Sequence, residues 1–214
     1  MQHTYIHEVV ARDGLQIEPQ FVPTEQKIEL IDALSDTGLA KIEVTSFVSP
    51  KAVPNLRDAE TVMASIKRKP SVKYVALIAN LKGAERAVAA RADEVNLVVS
   101  VSETHNRANV HRSTDASFEG FSEITRELER TGIAVTGALS TAFGCPFAPG
   151  ATGNICTEDL VHMLECMGYT TGVNLDKLLA ASKRLGAIVS HDLPGQVVKA
   201  GKVTDLHPIP GGLH

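Results

Sequence analysis

Short β-type runs alternate with longer amphipathic helical patterns from the start of the chain to about residue 140, and no other feature constrains the fold as strongly. YIHEVVA (5–11) is followed by a helix beginning near Thr24, where Pro23 and Glu25 supply start signals, Ile28, Ile31 and Leu34 share a face, and Gly38 ends it. KIEVTSF leads through VSPKAVPN to a helix over 58–69, stopped by Pro70. VKYVALIA (72–79) precedes an Ala-rich helix over 82–91. DEVNLVVSVS is followed by a polar loop and a helix over 117–131, and IAVTGALST (133–141) is the fifth strand.

Strands that are nearly continuously apolar and separated by helices imply a parallel sheet, either doubly wound or closed as a barrel. Polar residues cluster at or just past the strand ends: Arg12, Asp13 and Gln16, then Glu43, Thr45 and Ser46, then Asn80 and Lys82, then Ser140. A polar ring drawn from several strands is what the active face of a TIM barrel requires. RDGLQIEPQ, after the first strand, is not the Gly-rich phosphate turn of a doubly wound fold.

After residue 141 the rhythm stops. Thr157, followed by Glu158 and Asp159, starts a helix to about Met167, and Asn174 caps another to about Ser190, before an irregular Pro/Gly-rich tail. Five strand–helix starts occupy about 140 residues, whereas a complete barrel takes about 250. The expected fold is therefore α/β, an incomplete (β/α)8 TIM barrel of about five parallel strands plus C-terminal helices. Residues 1–147 carry units one to five, and 148–214 form the loop, helices and tail of the same domain.

With 43% hydrophobic residues but only 4% aromatic and no Trp, the core must be mostly aliphatic. Lys and Arg number 21 against 25 Asp and Glu, a formal charge of -4, so neither nucleic acid nor membrane is an expected partner and small-molecule chemistry is favoured. Cys145, Cys156 and Cys166 form neither an even disulfide set nor a CxxC pair, and MQHTYIHEVV lacks the pattern of a signal peptide. A reducing cytoplasm fits these features.

EVVARDGLQIE, IEVTSFVSPKAVPNL, ANLKGAERAV, the SxxxGCPF segment at 140–147 and GATGNICTEDLVHMLECMGYTTGVNLDKLL follow one another along nearly the whole chain. In these segments it resembles the 3-hydroxy-3-methylglutaryl-CoA lyases, members of a metal-dependent TIM-barrel family that includes isopropylmalate and homocitrate synthases. TSFVSPK and the GCP loop resemble the lyases more than the synthases. The family carries GCP twice, after the fifth and eighth strands. Here it occurs once, with a left side (STAFGCPF) like the first copy and a right side (APGATGN) like the second. A join within that repeat removes strands six to eight, in agreement with the strand count.

The resemblance implies retro-Claisen cleavage of 3-hydroxy-3-methylglutaryl-CoA to acetyl-CoA and acetoacetate. That reaction needs a base for the C3 hydroxyl, a divalent cation (Mg2+ or Mn2+) and a cationic donor for the thioester enolate. It makes Asp13 and Asn154 metal ligands, although each is also an ordinary turn residue. It makes Arg12 the enolate partner and Glu43 a catalytic-site carboxylate. Glu8 and Glu43 both stand in apolar strands, and pairing with Arg12 satisfies one of them and orients the guanidinium. Cys145 resembles the mobile-loop acid of the eighth-strand copy, or else descends from the fifth-strand copy, which has no such role. Gln16 and Ser140 are candidate substrate hydrogen-bond partners, Lys51 and Lys82 candidate contacts for CoA phosphates, and Cys156 and Cys166 packing residues.

Two further family ligands come from an HxH pair on the seventh strand. The eight histidines here, at 3, 7, 105, 111, 162, 191, 207 and 214, contain no HxH. The cation site is thus incomplete, and the lyase function implied by descent is expected to be impaired. Two other functions stand beside it: an inactive remnant that binds acyl-CoA or self-associates as a homo-oligomer, and a carboxylate-condensing synthase relative.

Overall fold

A computed structural model describes residues 2–142 and 154–205. Five strands, β1 (His7–Glu8), β2 (Lys41–Ser46), β3 (Lys73–Ile78), β4 (Glu94–Ser100) and β5 (Ala134–Ser140), form one sheet in chain order. All neighbours are parallel, with His7 beside Lys41, Val75 beside Glu94, and Glu94 beside Ala134. A doubly wound sheet reverses its strand order at a switch point; this one never does, so it is a partial barrel wall.

Helices α1 (Thr24–Ser35), α2 (Ala59–Ser65), α3 (Leu81–Ala89), α4 (Glu103–Val110) and α5 (Thr114–Leu128) connect the strands. Under them lie Ile42, Val44, Tyr74, Ala76, Ile78, Val95 and Leu97, part of a single aliphatic core that also takes Leu30, Ile31 and Leu34 from α1. Burying such residues contributes roughly 25 cal/mol per Å2 of apolar surface, the main favourable term in a fold with so few rings. The opposite face of the sheet carries Lys41, Glu43, Glu94, Asn96 and Thr136. Lys41 donates to both oxygens of Glu94 at 2.7 Å, and Thr136 donates to Glu94 at 2.6 Å. Burial opposes ionisation of Glu94, but these bonds and the Lys41 charge hold its carboxyl below the ordinary value.

Two elements depart from the expectations. The first strand keeps only His7–Glu8, because the chain tightens into a π-helical turn over Val10–Gly14, where the Asp13 amide donates to the Val9 carbonyl at 2.7 Å. The polar loop after β4 contains α4, capped by Ser102, whose hydroxyl accepts from the His105 amide. ETHNRANV has no apolar stripe to announce a helix, and capping together with packing on β4 stabilises it instead.

The C-terminal helices α6 (Thr157–Cys166) and α7 (Leu175–Ile188) pack on each other, and α7 lies against α1, burying Leu178 and Ala181. Asn174 accepts from the Lys177 amide and caps α7 as expected. A short helix, α8 (Val197–Ala200), interrupts the tail. The edge beyond β1 is partly occupied upstream: the Thr4 amide donates to the Thr170 carbonyl, and the Thr170 amide donates to the Gln2 carbonyl.

Gly38 fixes the junction between the two ends of the chain. Its φ is +92°, and a Cβ there would sit 2.3 Å from the Gly172 carbonyl oxygen, beside the Asn174 amide that donates to Thr37. Gly38→Ala is therefore expected to destabilise the fold by more than about 1 kcal/mol, read as a lower Tm, since both the backbone conformation and the space exclude a methyl group. An unchanged Tm would show that α7 is not held this way.

β5 pairs only with β4 among the described residues. It carries no charge and no proline, and its Leu139 is 60% exposed. On the concave face Glu43 and Glu94 are buried and hydrogen-bonded, whereas Leu139 of β5 stands exposed beside an unpaired edge. An uncharged open edge promotes strand addition, so the purified chain is expected to self-associate, and Leu139→Lys to reduce the association. Sedimentation showing a monomer across a broad concentration range would contradict this.

Candidate active site

The turn after β1 and the interiors of β2 and β4 bring the central group together. Arg12 donates through Nε to Oε1 of Glu43 and through its terminal nitrogen to Oδ1 of Asp13. Glu43 is fully buried, and its other oxygen accepts from Asn96 Nδ2 at 2.9 Å, with His7 Nε2 at 3.9 Å. Oδ2 of Asp13 accepts from Nδ2 of Asn154, which arrives from 141 residues further along the chain. A continuous chain of contacts therefore runs Asn154, Asp13, Arg12, Glu43, Asn96.

The physical reasons are local. In the π-helical turn, Arg12 points toward the barrel axis and Asp13 toward the start of α6. Gly14 belongs here because a Cβ would lie 2.9 Å from Val10 Cγ2. Buried Glu43 requires a charged partner, and Arg12 supplies it with fixed geometry. Glu8 is not that partner: its Oε1 accepts from the amides of Val9 and Val10, both at 2.8 Å.

Asn96 and His7 were not picked out from the sequence. An Asn inside the apolar run VNLVV was the available signal, since a buried amide needs partners. Its amide donates to Glu43, which fixes the flip, and its Oδ1 is buried with no partner among the described residues. Burial lowers the His7 pKa, against the attraction of Glu43, so the ring is neutral near pH 7.

The remaining candidates are placed less centrally. Ser140 ends β5, and its hydroxyl lies 2.9 Å from that of Ser100, which is 2.5 Å from His105 Nδ1. Gln16 contributes its backbone carbonyl, which accepts from Asn55. Lys51 and Lys82 are exposed. Cys145 lies outside the described residues. Burial raises the Cys156 thiol pKa, consistent with packing, whereas Cys166 is exposed, with its sulfur 3.9 Å from His162 Nε2.

Asp13 and Asn154 offer oxygen donors of the type a hard cation takes. They are too few to hold one, and no group of three or more His, Cys, Asp or Glu side chains suited to a metal occurs among the described residues. No helix among them is long and apolar enough to cross a membrane.

A parallel barrel wall in which an arginine from the turn after the first strand pairs with a carboxylate buried on the sheet's inner face belongs with the (β/α)8-barrel enzymes. A family model described as HMGL-like matches residues 3–150, so the chain belongs to the HMGL-like family. The cytoplasmic 3-hydroxy-3-methylglutaryl-CoA lyase of Danio rerio is 48% identical over 208 residues, 90% of this chain and 62% of that protein. The mitochondrial hydroxymethylglutaryl-CoA lyase of Mus musculus is 39% identical, with 88% and 59% covered. The chain therefore spans about three fifths of the length of these relatives. A solved HMG-CoA lyase from Acinetobacter baumannii, in complex with coenzyme A and 3-methylmalate, superimposes with a TM-score of 0.88 at 38% identity, covering 96% of this chain and 97% of that one.

The hydroxymethylglutaryl-CoA lyase of Bacillus subtilis, 30% identical, aligns over 289 positions that take in 92% of this chain and 97% of that protein. Since 92% of 214 residues fills no more than about 197 positions, about 90 positions of that relative face a gap here. Nearly all of both chains is taken in, so the gap is internal, as the single hybrid GCP segment implied.

Proposed function

We propose that this chain is a 3-hydroxy-3-methylglutaryl-CoA lyase by descent that keeps the arginine–carboxylate half of the retro-Claisen site and is impaired in turnover. The observation that carries the reading is the chain of contacts from Asn154 through Asp13 and Arg12 to Glu43. Arg12, held by Glu43, presents N–H donors where a thioester enolate oxygen develops charge. Glu43 orients Arg12 and does not itself move a proton, and Asn96 orients Glu43. Gln16 and Ser140 serve the acyl portion of the substrate, and Cys145 is either the family's mobile-loop acid or the residue of the fifth-strand copy, which has no such role.

A divalent cation, Mg2+ or Mn2+, would polarise the substrate hydroxyl in the family reaction. The donors present, Asp13 and Asn154, are too few to fit it. Residues 1–147 supply the barrel units and 148–214 the returning helices of the same domain. The compartment is the cytoplasm, as in the Danio rerio relative's name. The absent HxH favours the second reading, a remnant that binds acyl-CoA without turning it over.

Grafting the segment of the Bacillus subtilis relative that faces the gap into this chain between residues 142 and 154 tests the assignment. The chimera is expected to release acetoacetate, and Arg12→Ala within it to lower kcat by at least about a hundredfold, the scale of a lost oxyanion donor. A folded chimera that is inactive, or indifferent to Arg12, would refute it.

A further inference from the structure

On the outer flank of β1 lies a cavity of about 370 Å3, walled by the Val10–Gly14 turn, α1, the start of α6, α7 and residues 189–195. Its walls are largely apolar, with Leu30, Leu34, Leu178, Leu185, Val189 and Leu193 among them. Among the described residues, the charged groups lining it are unbalanced: four carboxylates (Glu8, Asp13, Glu18 and Glu158), one histidine (His191) and no Lys or Arg.

Two of the carboxylates are already engaged. Asp13 accepts from Arg12 and Asn154, and Glu18 pairs with His191 at 2.9 Å. Glu8 and Glu158 are only 5% and 7% exposed and form no ion pair among the described residues. Glu8 has backbone amides on one oxygen, and Ser182 is a hydrogen-bond partner of Glu158. Burial pushes the Glu158 carboxyl up, and the charges of Asp159 and Glu8 push it further. Asp159 itself is held by the amides of Gln196 and Val197, and Lys199 of α8, whose charge reaches Cys156, is not part of the lining.

We propose that this cavity is a binding site for an amphipathic primary amine, whose ammonium group sits against Glu8 and Glu158 and whose alkyl chain lies along the leucine wall. Two desolvated carboxylates without a counter-charge are costly, and a cation brought in by a ligand offsets that cost. A compact ammonium offers three donors to the free carboxylate oxygens. A volume near the lower end of small-molecule pockets suits a chain of about eight carbons. An anionic ligand of similar size is repelled; Asp13 and Asn154 are shared with the site described above, but Arg12 and Glu43 do not line this cavity, and the proposal rests on Glu8 and Glu158 rather than on the acyl-CoA chemistry.

Titration calorimetry of the 214-residue chain with octylamine, octanoate and 1-octanol tests the assignment. Octylammonium is expected to bind at least tenfold more tightly than the other two. Its affinity should rise with pH as Glu158 ionises, because the amine stays protonated up to about pH 10. Glu158→Gln and Glu8→Gln should each weaken octylammonium about tenfold and leave 1-octanol unchanged. Ala181→Met, which narrows the cavity, should weaken both, and circular dichroism checks that each variant is folded. Equal binding of the three probes, preference for octanoate, or a folded Glu158→Gln that binds octylammonium as before would overturn the proposal.

Discussion

Mixed with 3-hydroxy-3-methylglutaryl-CoA and excess Mg2+ or Mn2+, the 214-residue chain is expected to release no measurable acetoacetate. The expectation rests on donors: Asp13 and Asn154 are two, their side chains already bonded to each other, and no HxH exists in the sequence to add two imidazoles. A hard cation held by two protein oxygens keeps most of its water and has little reason to prefer this site to bulk solution. Polarisation by a metal is worth several kcal/mol, on the order of a thousandfold or more in rate, and one guanidinium does not replace it. The assay is acetoacetate release, with Asp13→Ala as control. Metal-dependent turnover that disappears in the mutant would show that two donors suffice.

Replacing Glu43 is expected to have the largest effect on stability. The side chain is fully buried and accepts from both Arg12 and Asn96. Glu43→Ala leaves a guanidinium that is only 13% exposed without its buried partner, and leaves a second orphaned atom on Asn96, whose Oδ1 already lacks one. Breaking one side of a buried pair costs about 3–5 kcal/mol. In a chain of this size that lowers Tm by roughly 10 °C, measurable by thermal or urea unfolding. Glu43→Gln, which keeps an acceptor but not the charge, should fall between. A Glu43→Ala protein within 1 kcal/mol of the parent would mean that Arg12 finds water or Asp13 alone adequate.

Much of the site was legible because its residues sit where their chemistry conflicts with their surroundings. Arg12 and Asp13 follow an apolar strand, Glu43 interrupts another, and Asn154 precedes a helix start, so each position asks for a partner. The pairing of Glu43 rather than Glu8 with Arg12 was not legible. Glu8 turns back onto the amides of Val9 and Val10 because the chain coils into a π-helical turn, and nothing in the periodicity of YIHEVVA announces that. Asn96 was missed because one polar residue barely disturbs the apolar run VNLVV, and its role depends on Glu43 arriving from a strand two places away in the sheet.

The sequence by itself determined the five strand–helix units, the parallel sheet and the shortage of cation ligands, since period, turn chemistry and the presence or absence of a side chain are local properties. Only the tertiary structure decided how the returning segment closes on the beginning. α7 packs on α1, Gly38 meets Gly172, and Asn154 reaches Asp13 across 141 residues. The cavity beside β1 was settled at the same level, because it is space left between five separate stretches of chain. Contacts of that range depend on which surfaces remain uncovered once the strands have paired, and no local pattern records that.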